Sequence, residues 1–165
     1  MPYHIFLRIL EPREVASIRV TTDAEDLGPL AGEHLPAIYS HFSALNLQPG
    51  GPPFIRYHQI ETPPFDVEFG FPLPAAGALT ATTERIALSH LPGGPMAVTW
   101  HVGPYETAVH AAGALRNYIR AQGWHEDGPP WDVYWTNPRL EPNPARWKTE
   151  VLWPIRMGGA APMPK

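Results

Sequence analysis

The sequence contains no cysteine, so neither a disulfide nor a catalytic thiol is available to this chain. Charged residues make up only 17% of its 165 residues, and the formal net charge is −4. Lysine and arginine form no run longer than two, which argues against a nucleic-acid-binding surface. No apolar run approaches the length of a membrane span, and the N-terminus lacks the apolar core of a signal peptide. We therefore expect a cytoplasmic protein without nucleic-acid or membrane partners.

Motifs for metal or cofactor chemistry are also lacking. The eight histidines are scattered, and neither H-x-H nor H-E-x-x-H occurs. No phosphate-binding glycine loop precedes a predicted helix, and no G-x-S-x-G motif surrounds a serine. We expect no metal site and no cofactor.

Proline and glycine are abundant, with 22 and 14 residues, and they mark the ends of predicted elements. Helices are predicted near Pro29–Leu47 and Pro104–Gln122; Pro36 fits either a first turn or a kink, so the start of the first helix stays open. The turn at 92–95 predicts a hairpin between its flanking strands. The predicted strands cover 3–10, 14–20, a segment from 54, 65–73, 84–91, 96–102, 131–135 and 148–156.

The chain contains an internal repeat. The strand K-T-E-V-L-W-P-I-R at 148–156 resembles V-E-F-G-F-P at 67–72, with Glu150 and Glu68 in the same place. A Gly-Pro-Pro precedes Tyr57 in the first half and Tyr134 in the second. Each half is predicted to be β-β-α-β-β, too small to bury its sheet alone. We therefore predict an α+β fold of two pseudo-two-fold modules, with one antiparallel sheet and both helices on one face.

A single domain over 1–157 is predicted from these halves, with modules at 3–74 and 84–156 and a disordered tail at 158–165. Strand alternation places Val151, Trp153 and Ile155 on the face that meets a helix, and Glu150 on the other face. The apolar positions Ala16 and Ile18 are predicted to face a helix in the same way.

Three segments of the second half resemble the GyrI-like effector-binding domain. They are H-V-G-P-Y-E at His101–Glu106, the Gly-Pro-Pro before Tyr134, and T-E-V-L-W-P-I at Thr149–Ile155. The resemblance extends from about Tyr3 to Arg156, although Thr22-Asp23 stands where the second half has Gly103-Pro104. Such domains consist of two strand-helix-strand-strand modules and occur as sensors of MerR- and AraC-type regulators or as stand-alone proteins. No helix-turn-helix precedes the domain in this sequence, so we expect a stand-alone member.

The resemblance implies an aromatic ligand cleft between the modules with a buried acidic residue, which is Glu150 in this chain. The register of the repeat puts Trp100 on the same side as Glu150. Further candidates for ligand binding are Tyr57, Tyr134, Trp135 and Phe54, and a one-residue slip would reverse their faces. Glu68 stays undecided.

A second interpretation makes Glu68 and Glu150 solvent-facing residues, each paired with an arginine. If Glu150 is instead buried without a partner, its charge opposes folding, so Glu150→Gln is predicted to leave stability unchanged or slightly higher.

Three functions remain open from the sequence. The first is binding or sequestration of bulky aromatic, preferably cationic, small molecules, including drugs and toxins. The second is hydrolysis of strained-ring, cyclopropane-type DNA-alkylating toxins, with Glu150 acting on water and Tyr57 or Tyr134 holding the ligand. The third is a protein-binding inhibitor of the gyrase-inhibitor type. The oligomeric state stays open.

Overall fold

The computed structural model describes residues 3–158, and the rest of the predicted tail lies outside the described residues. The chain is α+β, and the strand pairs within its two compact units are antiparallel, which confirms the predicted fold class. Single 3₁₀ turns occupy Tyr105–Ala108 and Pro144–Arg146. The longer elements are β1 (Ile5–Leu10), β2 (Arg13–Thr22), α1 (Gly28–Ala44), β3 (Phe54–Gln59), β4 (Phe65–Pro72), β5 (Ala87–Leu91), β6 (Gly94–Val102), α2 (Val109–Ala121), β7 (His125–Glu126), β8 (Trp131–Tyr134) and β9 (Lys148–Arg156).

The chain forms two compact units. The first joins the segment up to Leu10 with the chain from Gly93 onward, and the second is Glu11–Pro92. In the first unit β6 lies between β1 and β9, and β8 and β7 pair with the other edge of β9. In the second unit β2 lies between β4 and β5, and β3 pairs with β4. Compared with the predicted modules 3–74 and 84–156, β1 and β5 have changed places.

The predicted hairpin at 92–95 is wrong. Both edges of β6 are occupied, by β1 and β9, and β5 pairs with β2 instead. Met96, Ala97 and Val98 in β6 are fully buried, so this strand needs apolar neighbours on both sides. The distant strand β1 supplies one of them, and this non-local pairing overrides the local turn signal.

The helix α1 packs on β2 and β4 of its own unit. Its buried residues His34, Ile38 and Phe42 recur every four positions, as expected for one face of a helix. Pro36 lies inside the helix and not in its first turn, since the helix begins at Gly28. Phe42 belongs to the same core cluster as Ala16 and Ile18, as predicted from alternation in β2.

The helix α2 covers the sheet of the first unit. Ala111, Leu115 and Ile119 are buried and share a core cluster with alternate residues of β9. Those residues are Val151, Trp153 and Ile155, so the predicted helix-facing side of β9 is confirmed. Neither helix in the described range is long and apolar enough to cross a membrane.

The glycine at position 70 permits close packing in the second unit. A methyl group there would lie 2.7 Å from the backbone oxygen of Ala16 and 2.7 Å from Cζ of Phe54. Because Phe54 is only 1% exposed, its ring has little room to move. We expect Gly70→Ala to lower the free energy of unfolding by about 1–3 kcal/mol, measured by urea denaturation.

A matched control is Gly32→Ala in α1, where a methyl group would have no neighbour within 4 Å. Alanine favours a helix over glycine, so we expect this variant to be neutral or up to about 1 kcal/mol more stable. Equal stability of Gly70→Ala and the unaltered protein would contradict the packing at Gly70.

Candidate functional site

Glu150 lies in the middle of the sheet of the first unit. It pairs with Trp100 on β6 and with Val133 on β8. Directly paired residues of antiparallel strands project to the same face, which here is the face opposite α2. Glu150 is only 3% exposed, so the interpretation of a solvent-facing carboxylate is wrong. A buried charge requires partners.

Two side chains contact the Glu150 carboxylate. The Trp135 Nε1–H donates a hydrogen bond to Oε1 at 3.0 Å. The Arg8 Nη2 atom, from β1, lies 2.6 Å from Oε2 and forms an ion pair. This contact lacks hydrogen-bond alignment, since Oε2 receives no hydrogen bond from the residues that the structure describes. Glu150 is therefore paired with an arginine, and its Oε2 retains capacity for a further donor.

Two partly exposed tryptophans flank this carboxylate. Trp100 is 37% exposed and Trp135 is 52% exposed. Their ring centroids lie 6.0 Å apart, with the planes inclined at 51°. Open indole rings beside a buried carboxylate suit a flat cation, because ring faces and carboxylate all attract positive charge. We call Arg8, Trp100, Trp135 and Glu150 the Glu150 cluster.

Tyr134 does not join the Glu150 cluster. It pairs with Thr149, so it projects to the face opposite Glu150. Its ring packs edge-on against Tyr105 at a centroid distance of 4.8 Å. Because side chains alternate between the two faces of a strand, Trp135 faces the carboxylate and its neighbour Tyr134 faces away from it.

The two remaining candidates lie in the second unit. Tyr57 pairs with Val67, so it projects to the face opposite Glu68. Phe54 pairs with Gly70 and shares the face of Glu68, but its ring is buried in packing over Gly70. Within that unit neither aromatic ring is an exposed neighbour of the glutamate.

Glu68 is 2% exposed and is hydrogen-bonded within its own unit. Ser17 Oγ donates to Oε2 at 2.6 Å, and His58 Nε2 lies 2.8 Å from Oε1. Burial raises the pKa of Glu68, but hydrogen bonds from His58, Ser17 and Ser89 outweigh it and lower the pKa to about 2. We call Ser17, His58, Glu68 and Ser89 the Glu68 cluster, which holds an ionised carboxylate by neutral or histidine donors.

The two clusters occupy equivalent strand positions. The repeat that aligns Tyr57 with Tyr134 also aligns His58 with Trp135, and both rings contact Oε1 of the local glutamate. Likewise Arg8 pairs with Met96, and Ser89 pairs with Val15, the equivalent of Met96 in the repeat. Arg8 and His58 are not among the residues predicted from the sequence. The repeat spacing could have located His58, whereas Arg8 is recognised only through the non-local pairing of β1 with β6.

Other features of the described chain do not add to these clusters. No group of three or more His, Asp or Glu residues within 3–158 could hold a metal ion. An open groove of about 340 Å³ lies in the second unit, and none of the predicted ligand-binding residues lines it. Its walls are Pro12, Arg13, Glu14, Leu73, Pro74, Ala75, Ala76 and His90.

The fold and the buried carboxylate with its open aromatic neighbours are typical of a small-molecule-binding domain. The chain belongs to the GyrI-like family, whose model, described as the GyrI-like small molecule binding domain, matches residues 4–156. This match confirms the resemblance found in the sequence. Among curated proteins no sequence matches the chain.

Two solved structures of EcmrR share the fold. The EcmrR–DNA complex in EcmrR-RPo, determined by cryo-EM, has a TM-score of 0.82 and 22% identity over 94% of this chain. The chain spans 58% of that EcmrR chain. The crystal structure of the EcmrR C-terminal domain has a TM-score of 0.75 and 21% identity, over 94% of this chain and 99% of that domain. At these identities the likeness shows the fold alone.

Two further structural neighbours are SAV2435 and a hydrolase from Listeria innocua. SAV2435, bound to tetraphenylphosphonium, has a TM-score of 0.58 and 15% identity, over 95% of both chains. A hydrolase encoded by lin2189 from Listeria innocua has a TM-score of 0.65 and 14% identity, over 94% of this chain and 93% of that one. The same fold therefore occurs in a cation-bound protein and in a protein described as a hydrolase.

Proposed function

We propose that this protein binds or sequesters bulky aromatic cations at the Glu150 cluster. The observation that carries this proposal is a carboxylate only 3% exposed beside two tryptophans that are 37% and 52% exposed. Each well-placed ring face contributes about 0.5–2 kcal/mol to the binding of a cation. The buried carboxylate adds a Coulombic attraction that water screens poorly.

The family of this chain and the ligand of one structural neighbour support this proposal. Family membership supports small-molecule binding in general. Tetraphenylphosphonium, the ligand of the neighbour SAV2435, combines four phenyl rings with a positive charge. In this chain Trp100 and Trp135 would take the aromatic groups and Glu150 would select the charge.

A matched ligand pair tests the proposal by calorimetric titration. Methyltriphenylphosphonium is a cation, and triphenylphosphine oxide is a neutral molecule of similar size. We expect the cation to bind with a Kd in the micromolar range, equivalent to about −8 kcal/mol, and to quench tryptophan fluorescence. The neutral molecule should bind more weakly, because it gains nothing from the carboxylate.

Two substitutions locate the binding surface. Trp100→Ala should weaken binding of both ligands, since it removes a ring that faces solvent beside Glu150. Trp124→Phe, which alters the cluster under α2, should leave both affinities unchanged. Equal affinity for the cation and the neutral ligand would contradict a role for the carboxylate.

Hydrolysis of strained-ring alkylators is a second candidate function. Its basis is Glu150 Oε2, which receives no hydrogen bond within the described chain and is free to accept one from water. Incubation with a cyclopropane alkylator, followed by mass spectrometry, distinguishes the two functions. A water adduct that disappears in Glu150→Gln would support hydrolysis, and unchanged bound ligand would support binding alone.

A further inference from the structure

The position that a ligand cation would take beside Glu150 already holds a cation of the protein. Arg8 Nη2 lies 2.6 Å from Glu150 Oε2, while Trp135 occupies the other carboxylate oxygen. A positively charged ligand that contacts this carboxylate therefore competes with Arg8. The side chain of Arg8 is 40% exposed and that of Glu150 4%, so the guanidinium can withdraw into water while the carboxylate stays fixed.

The second unit shows that a buried glutamate in this strand position does not require an arginine at the place of Arg8. There, Ser89 takes the place of Arg8 and donates a hydrogen bond to Glu68. Ser17 and His58 complete its hydrogen bonds. Arg19 and Arg56, which pair with Glu68 from the two neighbouring strands, add electrostatic attraction. Arg8 of the Glu150 cluster is thus a charged counterpart at a strand position where the second unit has a hydroxyl.

The ion pair also leaves its carboxylate oxygen incompletely satisfied. Glu150 Oε2 receives no aligned hydrogen bond from any residue in the range 3–158, in spite of the short distance to Arg8. A salt bridge with one half-exposed partner contributes little to stability. Its replacement by a better-fitting cation therefore costs the fold little.

We propose that Arg8 is an internal competitor for the ligand-binding carboxylate and sets the specificity of the Glu150 cluster. This inference rests on the proposed function. A cation binds only to molecules in which Arg8 has left Glu150, so its apparent Kd is raised by the inverse of that fraction. The ligands that can displace Arg8 are aromatic cations whose rings also contact Trp100 and Trp135. Small cations without aromatic rings do not compensate for the lost ion pair and are excluded from the Glu150 cluster.

The test compares Arg8→Met with the unaltered protein, using methyltriphenylphosphonium, triphenylphosphine oxide and tetramethylammonium as probes. We expect Arg8→Met to bind the phosphonium about tenfold more tightly, because the competing charge is gone. The affinity for triphenylphosphine oxide should stay the same, since a neutral molecule does not compete with Arg8. Tetramethylammonium should bind measurably only to the variant.

Arg120→Met is the matched control, because it removes one exposed positive charge from an ion pair between α2 and β7 of the same unit. It should leave the affinity for all three probes unchanged. Arg8→Gln serves as a second variant that keeps a polar side chain on β1, and it should reproduce the tighter phosphonium binding if Arg8→Met folds poorly.

Each outcome of this test has a distinct meaning. Tighter binding of both cations, with no change for the phosphine oxide, supports competition by Arg8. Unchanged or weaker phosphonium binding in both Arg8 variants overturns the inference while leaving the proposed function intact. An equal gain for the phosphonium and the phosphine oxide also overturns it, since Arg8 would then only occupy space. If no probe binds any form of the protein, both the proposed function and this inference fail.

Discussion

Glu150→Gln is expected to lower the affinity for methyltriphenylphosphonium by ten- to a hundredfold. Glutamine keeps the size of the side chain and an acceptor for the Trp135 Nε1–H, but it removes the negative charge. This loss of affinity corresponds to about 1.4–2.8 kcal/mol of lost attraction between the two charges. Arg8 would also remain beside the ligand without its counter-charge and repel it. Calorimetric titration at pH 7 measures the change.

The neutral ligand and the equivalent glutamate supply the controls. Triphenylphosphine oxide should lose little affinity in Glu150→Gln, because its binding does not use the charge. Glu68→Gln removes an equally buried carboxylate from the second unit, where Ser17 and His58 already bind it. It should leave the affinity for the phosphonium within about twofold. A similar loss in both glutamine variants, or for both ligands, would contradict Glu150 as the group that selects charge.

The ion pair with Arg8 changes the expectation for the stability of Glu150→Gln. The sequence alone predicted unchanged or slightly higher stability, on the premise of an unpaired buried charge. The structure shows a partner, so that premise is wrong. Because Arg8 is 40% exposed, the pair contributes modestly, and we expect the variant to lose about 1 kcal/mol or less.

The local periodicity of the sequence predicts much of the fold. Alternation in β9 places Val151, Trp153 and Ile155 on one face and Glu150 on the other. Those three apolar residues belong to the core cluster under α2, and Glu150 does not. Ile38 and Phe42 in α1, four residues apart, are both buried, as helical spacing of apolar residues predicts. These features depend on neighbours in sequence, so a single chain is sufficient to recognise them.

The pairing of distant strands could not be predicted from local pattern. The glycines and prolines at 92–95 favoured a hairpin, but the strand that pairs with β6 on that side is β1, from the start of the chain. The same non-local pairing brings Arg8 to Glu150, so the missed partner strand and the missed counter-charge have one cause. Local turn chemistry carries no information about which distant strand buries an edge.

The predicted site residues differ in whether the register of the repeat fixed their face. Trp100 was predicted correctly on the face of Glu150, because the register of the repeat fixes its alternation. Tyr134, a candidate because it is the repeat equivalent of Tyr57, lies on the opposite face, one residue from Trp135, which contacts the carboxylate. For strand residues the face is decided by register, and a difference of one position reverses it.

A pH-dependent stability is expected from Glu68 and is the largest effect predicted for the fold itself. Hydrogen bonds hold its pKa at about 2 against an ordinary value of 4.5. The unfolded chain therefore takes up a proton at higher pH than the folded chain, so the contribution of Glu68 is complete above about pH 5. It is lost as the pH falls from about 5 to 2. At 1.36 kcal/mol per unit, the contribution is about 3 kcal/mol.

Glu68→Gln isolates this contribution, because glutamine resembles the protonated acid in size and charge. Urea unfolding of both proteins should differ by about 3 kcal/mol at pH 7, and the two stabilities should converge as the pH approaches 2. The pKa of Asp66 is also lowered, chiefly by its hydrogen bond from Arg19, but this carboxylate is present in both proteins and cancels. Glu33→Gln, which alters an exposed carboxylate on α1, should follow the pH profile of the unaltered protein. Parallel profiles for Glu68→Gln and the unaltered protein would show that the Glu68 cluster does not hold an ionised carboxylate in the folded state.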